Sequence, residues 1–108
     1  MADYEVLLTA DAQTDLEEIT EYIEIYDSPE RADYVYDRIK ETILKLEAFP
    51  ERGRIVPELR DIAVREFREV FFKPYRILYF VSETRVYVHC IFDGRRDVGD
   101  VLTQRSLR

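Results

Sequence analysis

Residues 65–93 read REFREVFFKPYRILYFVSETRVYVHCIFD. Three runs inside this stretch, REFREVFF, YRILYFVS and RVYVHCIF, concentrate Phe, Tyr, Val and Ile, the side chains that fit a pleated, half-buried surface. Lys73–Pro74 separates the first two runs and Ser82–Glu83–Thr84 the next pair, and both links have hairpin length. The stretch therefore predicts three antiparallel strands. In the last run Val86, Val88, Cys90 and Phe92 fall on one face, and Tyr87, His89 and Ile91 on the other. Both sets are largely apolar, which places this strand inside a sheet with neighbours on either side.

Upstream the period changes. Leu16, Ile19, Ile23 and Tyr26 recur at helical spacing with acids between them, predicting a helix over residues 10–26. Thr9 suits its N-cap, and Asp11 and Asp15 lie early, where the helix dipole favours negative charge. Residues 27–30 read DSPE. Ser28 suits an N-cap and Pro29 the first helical position, so a second helix should run to about residue 48. Its apolar stripe is Ala32, Val35, Tyr36, Ile39, Ile43 and Leu46, and Pro50 and Gly53 in FPERGR end it. So short a link makes an antiparallel helical hairpin. Its outer acids read as a solvated face. Residues 4–9, YEVLLT, are a short strand candidate. The tail RRDVGDVLTQRSLR is polar, and Gly99 weakens the case for a last helical turn. The order is strand, helix, helix, strand, strand, strand. That makes a single α+β domain over residues 1–108, with the hairpin packed on a small, mostly antiparallel sheet.

The 108-residue chain is 46% apolar and 36% charged, a globular composition with material for a core. Cys90 is its single cysteine, which excludes an intrachain disulfide, and it lies in an apolar run as a small buried hydrophobe would. Metal binding is not expected, because the one histidine, His89, is next to Cys90 and points to the other face of a strand. Ile77–Val81 is the longest apolar run, far short of the ~20 residues that span a membrane. The N-terminus lacks a basic start followed by an apolar stretch, so the expected location is the cytoplasm. Charge is uneven. Residues 1–50 carry fourteen acids against four bases, a balance of −10, and residues 51–108 carry twelve bases against nine acids, a balance of +3. The basic half could present a local anion site despite the overall −7.

Several segments together resemble the RelE/ParE superfamily, the toxins of bacterial type II toxin–antitoxin pairs, with the ParE-like side favoured. LTADAQTDLEEITEYI is similar to the family's opening, where a small residue and an acid–Leu–acid segment start the first helix. LEAFPERGR looks like its Pro–x–x–Gly helix exit. YRILY followed by GRRD resembles its closing strands.

The resemblance implies a metal-independent toxin that uses no cofactor. RelE-like members cut messenger RNA on the ribosome. That chemistry needs fixed cations at an anionic phosphorus, for which the Arg fork is suited, and a group of reachable pKa to move protons. Arg76 in PYRILY matches the family's strand arginine and Arg96 in GRR the arginine closing its last strand. Arg95 could assist, and Arg65 and Arg68 could join them if the strands pair in register. The alternative is that Arg76 is held across the sheet by Glu66 or Glu69, and that Arg95–Arg96 is a solvated turn paired with Asp93 or Asp97. Nuclease members often carry Tyr or His just past the final arginine. Here DVGDVLTQ follows, with Leu102 near the expected Tyr, and Asp93 stands where relatives often have His. His89, Tyr75, Tyr79 and Tyr87 read as packed aromatics.

ParE-like members block DNA gyrase and need a binding surface rather than a proton relay, which suits this sequence better. The acidic net charge departs from both branches and favours protein targets. Three functions are therefore weighed: a gyrase-inhibiting toxin neutralised by a cognate antitoxin, a ribosome-dependent endoribonuclease using Arg76 and Arg96, and a non-toxic antitoxin-binding module. An antitoxin would form a hetero-oligomer with the chain, docking a helix or strand near Tyr22, Ile25 and Tyr36.

Overall fold

The computed structural model describes residues 4–61 and 65–106. The chain runs β1 (Glu5–Leu8), α1 (Ala10–Tyr26), α2 (Pro29–Leu44), a 3-10 turn (Lys45–Glu47), β2 (Arg54–Ile55), a second 3-10 turn (Pro57–Leu59), β3 (Arg68–Phe72), β4 (Tyr75–Ser82), β5 (Arg85–Asp93) and α3 (Val98–Ser106). The five strands form one sheet in the order β1-β5-β4-β3-β2. β1 runs parallel to β5, and the remaining pairs are antiparallel. β5 thus has a neighbour on each side.

Both predicted caps hold the hairpin. The Thr9 hydroxyl accepts the Ala12 N–H at 3.1 Å and itself donates to the His89 carbonyl, so one side chain starts α1 and ties it to β5. Ser28 accepts the Arg31 N–H at 3.1 Å with Pro29 opening α2. Ala12, Leu16, Ile23, Ala32, Val35, Ile39 and Ile43 bury against Val70, Ile77, Tyr79, Val86, Val88 and Ile91 of the sheet. Tyr26 does not join this stripe. It is 73% exposed and packs on Tyr22, with ring centroids 4.7 Å apart. The reason is helical geometry: Tyr26 is the i+4 neighbour of exposed Tyr22 and shares its flank.

Asp15 also departs from expectation. It is buried, and its Oδ2 accepts the Ile91 N–H at 2.9 Å. β1 ends at Leu8, opposite Val88, so nothing in β1 reaches Ile91. A carboxylate from α1 supplies the acceptor that an edge N–H needs when buried.

The face assignment for β5 is corrected by a bulge. Leu78 pairs with Cys90 and Tyr79 with Val88, so His89 is the extra residue of a bulge. The extra residue shifts the alternation. Val86, Val88 and Ile91 face the hairpin, whereas Cys90 and Phe92 enter a second core with Val56, Leu59, Leu78, Val98 and Val101. That second core covers the sheet's other face and explains α3. The Asp97 carboxylate accepts the Asp100 N–H at 3.0 Å as an N-cap, and Val98 and Val101 are each 2% exposed. Burying two valines, each on the order of 1.5–3 kcal/mol, outweighs the roughly 1 kcal/mol disadvantage of Gly99.

The predicted end of the hairpin is held from below. Buried Tyr79 donates its hydroxyl to the Pro50 carbonyl at 2.7 Å and accepts the Gly53 N–H at 3.0 Å. A Cβ on Gly53 would lie 2.5 Å from the Glu69 carbonyl oxygen and 2.6 Å from the Tyr79 hydroxyl, so the turn admits no side chain there. β2 follows directly, two residues paired with Arg68 and Glu69.

Candidate target-binding arginines

The sheet register separates two of the five candidate arginines, Arg68 and Arg76. Arg76 lies opposite Phe71 and Phe92, near the end of β4 that leads back to Pro74. Arg68 lies opposite Tyr79, three residues further along β4. An odd offset puts the two on opposite faces of the sheet. They do not combine into one cationic strip.

Arg76 is 8% exposed, and its guanidinium is fully engaged. Nε donates to Glu69 Oε1 at 2.6 Å, Nη1 to Glu58 Oε2 at 2.9 Å and Nη2 to Glu58 Oε1 at 3.1 Å. The Phe92 ring lies beneath the fork, 5.5 Å from its carbon. Glu69 is shared: its Oε2 accepts from Arg54 Nε at 2.7 Å. Arg54, Glu69, Arg76 and Glu58 therefore form a chain of alternating charge that sums to zero. The bonds to Arg76 hold the Glu58 carboxyl below the ordinary carboxylate range, and the Glu58 and Glu69 bonds push the Arg76 guanidinium still higher. The carboxylate partner expected across the sheet is thus Glu69. Glu58 gave no signal in the sequence. It is eighteen residues from Arg76, and a single 3-10 turn delivers it.

The other arginines have local partners. Arg68 donates from Nη1 to the Gly53 carbonyl at 2.8 Å and pairs through Nη2 with Glu66 at 3.1 Å, clamping the Pro50–Gly53 turn. Arg65 sits over the Phe80 ring at 4.5 Å. Phe80 also stacks on Tyr87, and His89 packs against Phe67, so His89 and Tyr87 are ring-packed residues as the sequence suggested. Arg95 grips Asp93 with two bonds, Nε to Oδ1 at 3.0 Å and Nη2 to Oδ2 at 2.7 Å. These bonds lower the Asp93 pKa, while burial followed by the Asp93 charge raises that of Tyr75. Arg96 donates to the Gln104 side-chain oxygen at 2.8 Å, which ties the β5 exit to α3. Arg95 and Arg96 border a cleft of about 400 Å³ between α1 and the β4–β5 end, with Asp15, Tyr22 and Tyr75 on its other walls.

The three residues proposed for antitoxin contact are all exposed, Tyr22 at 64%, Ile25 at 65% and Tyr36 at 37%. Tyr22 and Ile25 lie on α1 with Tyr26, forming one apolar flank among acids. Tyr36 lies on α2, where Lys40 Nζ rests 5.5 Å from its ring. Among the described residues no three His, Cys, Asp or Glu side chains converge as a metal site, and no helix is long and apolar enough to cross a membrane.

This α+β arrangement is similar in fold to two solved toxin–antitoxin systems. One is the chromosomal ParDE system from P. aeruginosa, with a TM-score of 0.71 and 18% identity over 84% of this chain and 96% of that one. The other is the RelBE2 toxin–antitoxin complex from Mycobacterium tuberculosis, with a TM-score of 0.60 and 22% identity over 84% and 98%. No curated protein gives a significant sequence match. The family model for the ParE toxin of the type II toxin–antitoxin system, parDE, matches residues 6–98. The chain belongs to that family.

Proposed function

We propose that this ParE-type toxin acts by binding and inhibiting DNA gyrase, and that a cognate antitoxin neutralises it. The observation that carries this reading is the state of Arg76. A nuclease needs its strand arginine open to a scissile phosphate, with a proton-transfer group beside it. Here the fork is filled by Glu58 and Glu69. The segment after Arg96 is α3, which turns Val98 and Val101 into the core and leaves Leu102 half-buried against it. Such a surface suits binding a protein better than processing RNA.

The antitoxin is assigned to the apolar flank of α1 formed by Tyr22, Ile25 and Tyr26, with Tyr36 of α2 as a further contact. Exposed aromatic rings in a polar surround are the residues that anchor protein interfaces. Purified chain added to gyrase and relaxed plasmid tests the target. Loss of supercoiling, relieved by the antitoxin, supports the reading. Unchanged supercoiling at large molar excess rejects it, and transcripts cut on induction point to the endoribonuclease instead. Unimpaired growth on strong expression of the lone chain points to a non-toxic antitoxin-binding module.

A further inference from the structure

The two carboxylates on Arg76 are not equivalent. The Glu69 side chain is 0% exposed and fixed from both sides by Arg54 and Arg76. The Glu58 side chain is 45% exposed and rides on a three-residue 3-10 turn at the surface. Val56 and Leu59 seat that turn in the second core on either side of Glu58. Withdrawing the Glu58 side chain requires no change in the sheet. It would leave Arg54, Glu69 and Arg76 with one net positive charge. It would also leave Nη1 and Nη2 of Arg76 side by side, held in plane by the Glu69 bond and the Phe92 ring. A guanidinium fork fixed in this way is a bidentate receptor for a carboxylate.

We propose that the outer edge of Arg76 is a carboxylate-binding site which the chain's own Glu58 occupies, and that an Asp or Glu side chain of a protein partner displaces Glu58 from it. Two observations favour a carboxylate over a nucleic-acid phosphate. The present occupant spans the fork with two oxygens at 2.9 and 3.1 Å, and a single negative charge restores neutrality. The chain's net charge of −7 repels a polyanion, whereas one carboxylate on a mixed-charge protein surface meets little of that field. Glu58 is then an intramolecular competitor. It keeps a buried arginine paired in the free protein and sets a threshold for the partner, since the incoming group must outbid a carboxylate already in place. This inference does not depend on which target the toxin binds.

Chemical rescue of the full chain tests it. Glu58→Ala removes the carboxylate, and thermal melting is followed in sodium acetate, sodium chloride and inorganic phosphate at matched ionic strength. Acetate stands in for an Asp or Glu side chain, phosphate for a nucleic-acid backbone. Glu58→Ala is expected to melt below wild type. In excess of the wild-type response to the same salt, acetate should raise its midpoint saturably by at least half the loss, while chloride should not. Glu58→Gln, which keeps one acceptor oxygen, should show the same order of salts with a smaller rise, and it carries the test if the alanine variant does not fold. Absence of an acetate-specific rise beyond that of wild type in the folded variants overturns the proposal, and so does a larger rise beyond wild type in phosphate than in acetate.

Discussion

Glu69→Leu is the substitution that asks most of this structure. It keeps the approximate volume of the side chain but removes a carboxylate fully buried between two arginines. The cost falls unequally on the partners. The Arg54 side chain is 60% exposed and turns to water, so its lost pair matters little. The Arg76 side chain is 9% exposed, and its Nε loses the carboxylate it donates to in a dry site. Breaking a buried pair from one side typically costs about 3–5 kcal/mol. Glu58 still holds the outer fork, which places the expectation near the lower end, about 3 kcal/mol. With a slope on the order of 1.5 kcal/mol per molar urea, the unfolding midpoint should fall by roughly 2 M. The chain has no Trp, so far-ultraviolet circular dichroism is the natural probe. The double variant Glu69→Leu/Arg76→Met removes both buried charges and should recover at least half of the loss. A loss under about 1 kcal/mol for Glu69→Leu, or no recovery in the double variant, would refute the buried charge chain described above.

Other consequences follow from single features. Gly53→Ala places a Cβ against backbone and the Tyr79 ring, and should cost at least about 2–3 kcal/mol in the same urea experiment, as an overpacked core site does. Glu83 has φ 56° in the β4–β5 turn, so Glu83→Gly should stabilise the chain by roughly 1 kcal/mol by relieving a left-handed conformation. The Glu58 and Asp93 carboxyls have lowered folded-state pKa values, so their stabilisation is present at neutral pH. It is lost as pH falls below about 4, through those values. Glu58→Gln should therefore show a shallower acid limb than wild type in a melting series across pH, and an unchanged limb would remove Glu58 from the account.

Much of this architecture is written locally. Thr9 and Ser28 cap within three residues, Pro29 acts on its own backbone, and the buried stripes Leu16 and Ile23 of α1 and Ala32, Val35, Ile39 and Ile43 of α2 follow from period alone. What escaped the sequence is what tertiary contact decides. The bulge at His89 exchanges the faces of Cys90 and Phe92, and no residue type there announces it. β2 is two residues long and exists because Gly53 lets the turn approach β3. α3 forms because Val98 and Val101 find a second core, against the local signal of Gly99. At the site, Arg76 and its cross-sheet acid Glu69 were legible from strand pairing, and Arg95–Asp93 from proximity. Glu58 and the inward turn of Asp15 were not, since each depends on a contact between distant segments.

The proposed toxin acts by occupying a protein surface, with its strand arginine already neutralised from within. The most direct measurement is a plasmid supercoiling assay with purified gyrase and increasing amounts of the intact chain, run beside transcript integrity after induction in cells. A gyrase-binding toxin gives a dose-dependent loss of supercoiling with messenger RNA left whole. Full supercoiling together with cleaved messenger RNA would contradict it.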